Sequence, residues 1–377
     1  MSGRGWAVVS ELGEGWSGWE NVTLPMSDSF HFYACIMAGG SGERFWPMSR
    51  ARTPKHLLKL FSDRTLVEDT VRRLDGVVPM ANVFVLTNTA QLETTRAALK
   101  GVIAEANIIA EPAKRDTAAA AALATALVRA RDPQGVLALL PADALIKDTA
   151  TLARQVGVAL RRAATTPALL TFAIKPDHAA TGFGYLEMGE PTGDGFRQVK
   201  RFVEKPDATT ATRYLESGHY AWNAGMFFWS AAAFLAEAEK HTPMLAGFIR
   251  EFPSGDPTAF LAAKFPTLEP KVSVDYAIME KAASVETMVS EFDWDDVGLW
   301  TALPKHLPKD AGGNAVRGPV VAVNAHNNIA VSNGRVVALV GVSDLVVVET
   351  ADAILVCHRD SVGDIKKLMP LLPKELL

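Results

Sequence analysis

Cysteine is scarce in this chain of 377 residues, which contains only Cys35 and Cys357. Two distant cysteines cannot form a disulfide framework or the ligand spacing of a zinc site, so we expect free, buried thiols in a reducing cytoplasm. No apolar run reaches the roughly 18 residues that a membrane-spanning helix needs. The formal net charge of -4 lacks the basic excess typical of nucleic-acid binding. Hydrophobic residues make up 49% of the chain, which is enough for a full core.

The first 30 residues show little regular patterning. They are rich in Gly, Ser and Trp, and they lack a basic region followed by an apolar region and a cleavage site, so a signal peptide is not expected. We expect residues 1–30 to form a poorly ordered extension. Met26 is a candidate for the natural start, because a strand pattern begins shortly after it.

Apolar runs alternate with helical patterns over residues 31–175. Strands are predicted at 31–37, 82–87, 106–110 and 135–140, and helices at 65–74, 89–100 and 116–131. This alternation predicts an α/β fold with a Rossmann-like, mostly parallel sheet and helices on both faces. Such sheets bind ligands where their strands end, so the loops at that edge are expected to carry the chemistry.

The composition changes after residue 175. The mixed, aromatic-rich segment 176–300 predicts an insertion that lays a lid or substrate wall over the sheet. A linker with Pro and Gly at 304–313 would separate a large domain at 31–303 from a small unit at 314–377. The small unit has short valine-rich runs separated by Asn-Asn and Asn-Gly, which is typical of an all-β meander or a short β-helix.

A glycine-rich loop after the first predicted strand is the strongest functional signal. Its glycines and the cations that follow are Gly39, Gly40, Gly42, Arg44 and Lys55. Glycines let backbone N–H groups approach an anion, and the two cations suit a triphosphate. The loop is not a dinucleotide fingerprint, because Arg44 replaces the third small residue. It is not a Walker loop either, because no Gly-Lys-Ser/Thr follows.

This loop resembles the signature of nucleotidyltransferases that make nucleoside-diphosphate sugars. The fuller string Phe45–Arg50 with Pro54-Lys55 is most similar to the mannose-1-phosphate guanylyltransferases. Further motifs of that family follow in the same order: Glu111–Ala118, Leu140–Asp143, Thr181–Tyr185, Phe202–Pro206, Trp222–Gly225, Ser273–Lys281 and Trp294–Trp300. The resemblance covers roughly residues 31–360, and the chain stops before the isomerase domain of fused relatives, so it implies only the transferase activity.

The resemblance implies a role for each motif. The implied catalytic cations are Arg44 and Lys55, and the implied nucleotide contacts are Gly39, Gly40, Gly42, Glu111, Arg115 and Thr117. The implied sugar-phosphate contacts are Gly184, Tyr185, Glu204, Lys205, Asn223 and Gly225. A packing role stays open for some of these sugar-phosphate candidates, among them Gly184 and Tyr185.

Two aspartates are candidates for a Mg²⁺ site. Asp143 follows a predicted strand and so lies at the ligand-binding edge, where a carboxylate suits a hard cation that also binds phosphates. The resemblance implies a second metal-binding aspartate in the motif Trp294–Gly298. The position before Val-Gly favours Asp296 over its neighbours Asp293 and Asp295, which we expect to be solvated. Ala144 stands where the family usually has histidine, which departs from the pattern next to the metal.

The implied reaction is the transfer of GMP from GTP to α-D-mannose 1-phosphate, giving GDP-mannose and pyrophosphate by Mg²⁺-assisted in-line attack. Two alternatives stay open: a related transferase with another nucleotide or sugar, and a non-catalytic subunit that senses GDP-mannose. The family also allows a homodimer, whereas nucleic-acid and membrane partners are not expected. The scattered histidines share no ligand spacing, so we expect structural or surface roles and no zinc site.

Overall fold

The structure is a computed structural model that describes residues 31–40 and 42–377. The extension predicted at 1–30, with the candidate start Met26, lies outside these residues. The described chain forms a nine-stranded sheet, a four-stranded sheet and a two-stranded sheet. None of the helices in the described chain has the length and apolarity needed to cross a membrane.

The large sheet contains the first nine strands. They are β1 (Phe32–Ala38), β2 (Val83–Asn88), β3 (Ile108–Glu111), β4 (Val136–Pro141), β5 (Leu169–Ile174), β6 (Gly184–Gly193), β7 (Phe196–Glu204), β8 (Tyr220–Ser230) and β9 (Val285–Val289). Their order is β3-β2-β1-β4-β8-β5-β9-β7-β6. Seven of the nine run in one direction, and β7 and β8 oppose them. The predicted α/β fold with a mostly parallel sheet is confirmed.

Helices cover both faces of this sheet. They are α1 (Leu66–Arg72), α2 (Leu92–Ala98), α3 (Asp116–Arg131), α4 (Thr149–Thr165), α5 (Ala208–Ser217), α6 (Ala231–His241), α7 (Pro243–Glu251) and α8 (Thr258–Lys264), with α9 (Ile365–Leu368) near the C-terminus. Tyr33 and Cys35 of β1 pack with α3, α6 and α7, while Ala34 between them packs with α1 and α4. Cys35 is buried and Cys357 half-buried, and both are free thiols.

The composition of segment 176–300 predicts an insertion that lies over the sheet, but in the structure this segment is part of the sheet. It supplies four strands of the sheet, and β8 lies between β4 and β5 and runs antiparallel to both. Nearly all residues of β8 are buried or half-buried and apolar, which suits a strand covered on both faces rather than a lid.

A coil of short strands forms the C-terminal unit. They are β10 (Ala315–Arg317), β11 (Val320–Val323), β12 (Ile329–Ser332), β13 (Val337–Val340), β14 (Leu345–Glu349) and β15 (Ile354–His358). β10, β12 and β14 stack in parallel, β11 and β13 stack in parallel in a second sheet, and β15 pairs antiparallel with β14. Parallel rungs on two faces define a short β-helix, because the neighbours in a meander are antiparallel.

The β-helix packs against the loops at one edge of the large sheet. Apolar side chains of β12 and β14 share one core with Phe45 and Trp46, which follow the glycine-rich loop. Trp46 Nε1 donates a hydrogen bond to the carbonyl oxygen of Leu376 at 2.9 Å. Arg50 Nη2 lies 2.9 Å from Asp352 Oδ1. The unit therefore supports the loop that carries the strongest functional signal.

Candidate active site

The glycine-rich loop leaves β1 and packs onto Lys55. Gly42 has a φ of 62°, and a Cβ there would lie 2.5 Å from the backbone nitrogen of Lys55. Both the left-handed backbone and this contact demand glycine. A Cβ at Gly39 would lie 3.4 Å from Glu111 Oε2, whereas Gly40 has open space around it. The loop thus contacts Lys55 at one end and Glu111 at the other.

Lys55 connects the two predicted metal ligands. Its Nζ lies 2.9 Å from Asp143 Oδ2 and also donates to the carbonyl oxygen of Asp296. The Lys55 side chain is 8% exposed and that of Asp143 is 43% exposed, so a buried ammonium supports an accessible carboxylate. Burial raises the pKa of the Asp296 carboxyl, and the Lys55 ammonium opposes this shift. Asp143 and Arg44 also lie close enough to act on this pKa, so the structure brings all four residues together.

The donor set of this cluster fits a hard divalent cation. Carboxylate oxygens are the ligands that Mg²⁺ prefers, and the ion usually completes its shell with water and phosphate oxygens. No group of three or more His, Cys, Asp or Glu side chains forms a ready-made cage within residues 31–40 and 42–377. A cation held by Asp143 and Asp296 would therefore need further oxygens from water or substrate.

Two neighbouring aspartates of the same motif serve the fold. Asp293 accepts hydrogen bonds from two backbone N–H groups just before α4, at 2.9 and 2.7 Å. Asp295 accepts the N–H of Val297 at 2.7 Å and lies 2.8 Å from His306 Nε2. The expectation of a solvated Asp295 is wrong, because its side chain is only 14% exposed and has these partners. These bonds hold the turn that presents Asp296.

The loop between β3 and α3 carries the remaining nucleotide candidates. Glu111 ends β3, and burial raises its pKa to about 8. Arg115 precedes α3, and its Nη1 donates to the preceding carbonyl oxygen at 3.2 Å. Thr117 lies in the first turn, where its N–H donates to Asp116 Oδ1 at 2.7 Å and its Oγ1 accepts the N–H of Val274 at 2.9 Å. Such a helix start suits a polar, anionic ligand.

A second polar cluster gathers at the end of β7 and in β8. A Cβ at Gly184 would lie 2.6 Å from Glu204 Oε2 and 3.5 Å from Asn223 Cβ. A side chain at this buried glycine would collide with the Glu204 carboxylate, so the β6 backbone, Glu204 and Asn223 pack closely here. Lys205, at a φ of 48°, pairs with Glu204. Gly225, at a φ of 69°, donates its N–H to Asn223 Oδ1 at 3.2 Å. The structure brings these five sugar-phosphate candidates together.

The Tyr185 side chain has its contacts away from this cluster. It is fully buried, and its hydroxyl donates to the carbonyl oxygen of Ala180 at 2.9 Å. Its ring packs 5.4 Å from that of Tyr214. These contacts favour the packing role that stayed open for this residue.

Two buried polar residues beside the clusters were missed in the sequence. Asp275 is 9% exposed and accepts a hydrogen bond from Asn223 Nδ2 at 3.0 Å. His56 is 3% exposed, and burial lowers its pKa to about 4, which keeps it neutral beside the Lys55 cluster. Asp275 lies in a motif that carried the resemblance, so it could have been singled out. Nothing in the sequence separates His56 from the other histidines.

A phosphate-suited glycine turn, clustered cations and paired aspartates at the strand ends of an α/β sheet define a protein of the nucleotide-transferring class. The family model described as nucleotidyl transferase matches residues 33–311. A second model, described as a MannoseP isomerase/GMP-like beta-helix domain, matches residues 318–372. The chain belongs to the nucleotidyl transferase family, which confirms the prediction from its motifs.

Relatives extend this similarity over most of the chain. It is 36% identical to the mannose-1-phosphate guanylyltransferase of Sinorhizobium fredii, over 89% of this chain and 67% of that protein. It is 36% identical to the xanthan biosynthesis protein XanB of Xanthomonas campestris pv. campestris, over 89% and 72% of the two chains. A crystal structure described as mannose-1-phosphate geranyltransferase from Thermus thermophilus matches with a TM-score of 0.82 and 32% identity, over 91% of this chain and 99% of that chain.

Proposed function

We propose that this protein transfers GMP from GTP to α-D-mannose 1-phosphate and releases GDP-mannose and pyrophosphate. The observation that carries the proposal is 36% identity, over 89% of the chain, to a protein named mannose-1-phosphate guanylyltransferase. The geometry supports the chemistry, because one sheet carries both the cluster of cations and carboxylates and the second cluster around Glu204 and Asn223. The assignment of guanine as the base and mannose as the sugar rests on the similarity to this relative.

The proposed step is an in-line attack by an oxygen of the sugar phosphate on the α-phosphorus of GTP, with pyrophosphate as the leaving group. That oxygen is already anionic at neutral pH, so the reaction needs no general base. Catalysis then consists of positioning and charge neutralisation. In this scheme Arg44 and the N–H groups of the glycine loop hold the departing phosphates. Lys55 and Lys205 offset the repulsion between the two anionic substrates.

We propose Asp143 and Asp296 as the protein ligands of Mg²⁺. Nucleotidyltransferases of this family generally use a divalent metal ion. Bound at this cluster, Mg²⁺ would neutralise phosphate charge. The 2.9 Å contact between Lys55 Nζ and Asp143 Oδ2 orients the accessible carboxylate.

The remaining candidates divide between the two substrates. Glu111, Arg115 and Thr117 are proposed to contact the base and ribose. The Glu204 carboxylate can accept two hydroxyl hydrogen bonds, and the Lys205 ammonium is a compact phosphate partner. Gly184 lets the Glu204 carboxylate lie against the backbone of β6, where a side chain would collide with it.

We also propose a transferase domain at 31–303, a linker at 304–313 and a supporting unit at 314–377, in a homodimer. The core shared between the β-helix and the residues after the glycine loop supports a fixed arrangement of the two units. Light scattering of the full chain tests the oligomer, and the mass of a single chain would remove the dimer.

Pyrophosphate release tests the reaction. The full chain with Mg²⁺ receives GTP, UTP, ATP or dTTP, each with mannose 1-phosphate or glucose 1-phosphate. We expect release only with GTP and mannose 1-phosphate, and loss of release in Asp143→Ala. Asp360→Ala, at an aspartate that is 90% exposed on the C-terminal unit, is the control.

The other outcomes of this assay separate the alternatives. Release with a different pair would keep the reaction class and change the substrates. Binding of GDP-mannose without release from any pair would replace the proposal with the non-catalytic sensor.

A further inference from the structure

The family motif Ser273–Lys281 has no part in the reaction proposed above. Its centre is a π-helical turn, Asp275–Met279, a form that often marks functional sites. On one side of this turn a backbone N–H donates to Thr117 Oγ1 at 2.9 Å. On the other side Glu280 Oε1 accepts the N–H of Glu204 at 3.0 Å. The motif therefore touches both the nucleotide loop and the sugar cluster.

A buried contact of this motif with the sugar cluster joins Asp275 and Asn223. The amide of Asn223 has a defined orientation, because the N–H of Gly225 can only donate and lies 3.2 Å from Oδ1. Thr171 Oγ1 lies 2.7 Å from the same oxygen. Nδ2 must then point the other way, where it donates to Asp275 Oδ1 at 3.0 Å. The contacts of Asn223 with Gly225, Thr171 and Asp275 therefore fit only one orientation of its amide group.

Asn223 packs beside Gly184 and the Glu204 carboxylate. A Cβ at this glycine would lie 3.5 Å from Asn223 Cβ and 2.6 Å from Glu204 Oε2. One N–H of Nδ2 is used by Asp275, and the second has no partner among the residues that the structure describes. An amide N–H donates to a hydroxyl oxygen and a carboxylate accepts a hydroxyl hydrogen. The cluster therefore holds one unused N–H donor and one carboxylate acceptor, which are groups that suit sugar hydroxyls.

A carboxyl at position 275 is costly for the fold. It is 9% exposed, and it lies close enough to the Glu204 carboxylate for the two negative charges to repel. Burying a second carboxyl beside the first opposes folding. The hydrogen bond from Asn223 Nδ2 offsets part of this cost.

We propose that Asp275 is a positioning residue for sugar recognition, which holds Asn223 with its second amide N–H toward a hydroxyl oxygen of the sugar 1-phosphate. The inference rests on the proposed function, because it assumes that the cluster around Gly184, Glu204 and Asn223 binds the sugar. It assigns no direct contact between Asp275 and the substrate.

Steady-state kinetics of the full chain with GTP and mannose 1-phosphate test this role. In Asp275→Ala we expect KM for the sugar phosphate to rise about tenfold or more, with KM for GTP within about twofold of the wild type. Asp275→Asn keeps an acceptor for Nδ2 and should recover most of this loss. Asp194→Asn, at an exposed hairpin aspartate, is the matched control.

A swapped pair separates positioning from mere structural support. In the double variant Asn223→Asp with Asp275→Asn, the hydrogen bond between the two positions re-forms with donor and acceptor exchanged, and the Gly225 N–H keeps an acceptor. We expect the thermal midpoint to return close to the wild type. KM for the sugar phosphate should stay high, because position 223 no longer has an N–H to offer.

Two results would overturn the inference alone. One is a wild type that is active while Asp275→Ala leaves KM for the sugar phosphate within about twofold. The other is a swapped pair that recovers KM together with its thermal midpoint, since that result indicates a purely structural bond. A wild type that releases no pyrophosphate with any substrate pair would overturn the proposed function and this inference together.

Discussion

The large sheet and the β-helix are both built on parallel strands, yet they treat the polar residues of their turns in opposite ways. At the edge of the sheet, Arg44 and Lys205 are exposed. In the β-helix, Asn314 and Asn328 are fully buried and bond to each other and to turn backbone groups at 2.8 to 3.0 Å. A polar group satisfied inside the protein stabilises the fold, whereas one that faces solvent remains available to a ligand. Substitutions at the sheet edge should therefore change activity, and those in the β-helix should change stability.

The largest expected effect is at Arg44. Removing one preorganised donor from developing phosphate charge typically costs a factor of about 10² to 10³ in rate, so Arg44→Gln should lower kcat/KM by about that factor. The exposed side chain contributes little to packing, so the thermal midpoint should stay within about 1 °C of the wild type. Pyrophosphate release and a melting curve measure both quantities. Arg52→Gln, at an exposed arginine of the same loop region, should change neither.

The reverse pattern is expected at Asn328. Its side chain accepts the N–H of Leu345 at 2.9 Å and donates to the carbonyl oxygen of Val342 at 3.0 Å. Asn328→Ala leaves these buried groups without partners, which costs about 1–3 kcal/mol for each unsatisfied group. Thermal unfolding should show a clear loss, while kcat at a temperature below the transition stays unchanged. A loss of kcat of more than about tenfold below the transition would contradict the comparison. The exposed Asn333→Ala is the control.

Asp275 breaks the pattern, as Lys55 and Asn223 do, because it belongs to the site at the large sheet but is buried like the β-helix asparagines. Burial and the nearby Glu204 raise its pKa from 3.8 to about 7. Between these pH values the folded chain holds a proton that the unfolded chain releases, so stability falls as the pH rises through this window. Asp275→Asn has no carboxyl group at this position, so its stability should not fall in this way. The thermal midpoint of this variant minus that of the wild type should therefore be larger at pH 8 than at pH 5. A difference that stays constant with pH would contradict the raised pKa of Asp275.

The smallest effect is expected at Trp46, where the two regions meet. Trp46→Phe removes the hydrogen bond to the carbonyl oxygen of Leu376 but keeps most of the packing, so the cost should be about 0.5–1.5 kcal/mol. Thermal unfolding and kcat/KM of this variant, measured together, test whether the large sheet and the β-helix act independently. A fall in kcat/KM of more than about tenfold would mean that the β-helix positions the glycine loop, and that the two regions are not independent.

Elements with local causes could be predicted from the sequence. The Ala-rich run forms α3, and the short valine and leucine runs form β1, β2 and β4, because helix propensity and buried apolar runs act within a few residues. The two cations and the aspartate of the glycine-loop and strand-end motifs also lie together. Loops at the same end of parallel strands converge, so local motifs were enough to find this part of the site.

Features that depend on distant residues could not be predicted. In the structure β8 lies between β4 and β5, but the apolar strands of this sequence could pair in many other orders. The bond between Asn223 and Asp275 joins positions 52 residues apart, and that between Lys55 and Asp143 joins positions 88 residues apart. The burial that raises or lowers the pKa of Asp275 and His56 exists only after these segments pack.

The sequence by itself determined which residues carry charge, where the backbone can turn through Gly42 and which segments must be buried, because these are properties of single residues and short patterns. Only the tertiary structure decided which aspartate faces outward and which serves the fold. Asp143 lies open beside a buried ammonium, while Asp295 is bonded to His306. The physical reason is that solvent exposure and hydrogen-bond partners are set by what packs nearby, and residues far apart in the chain supply most of those neighbours.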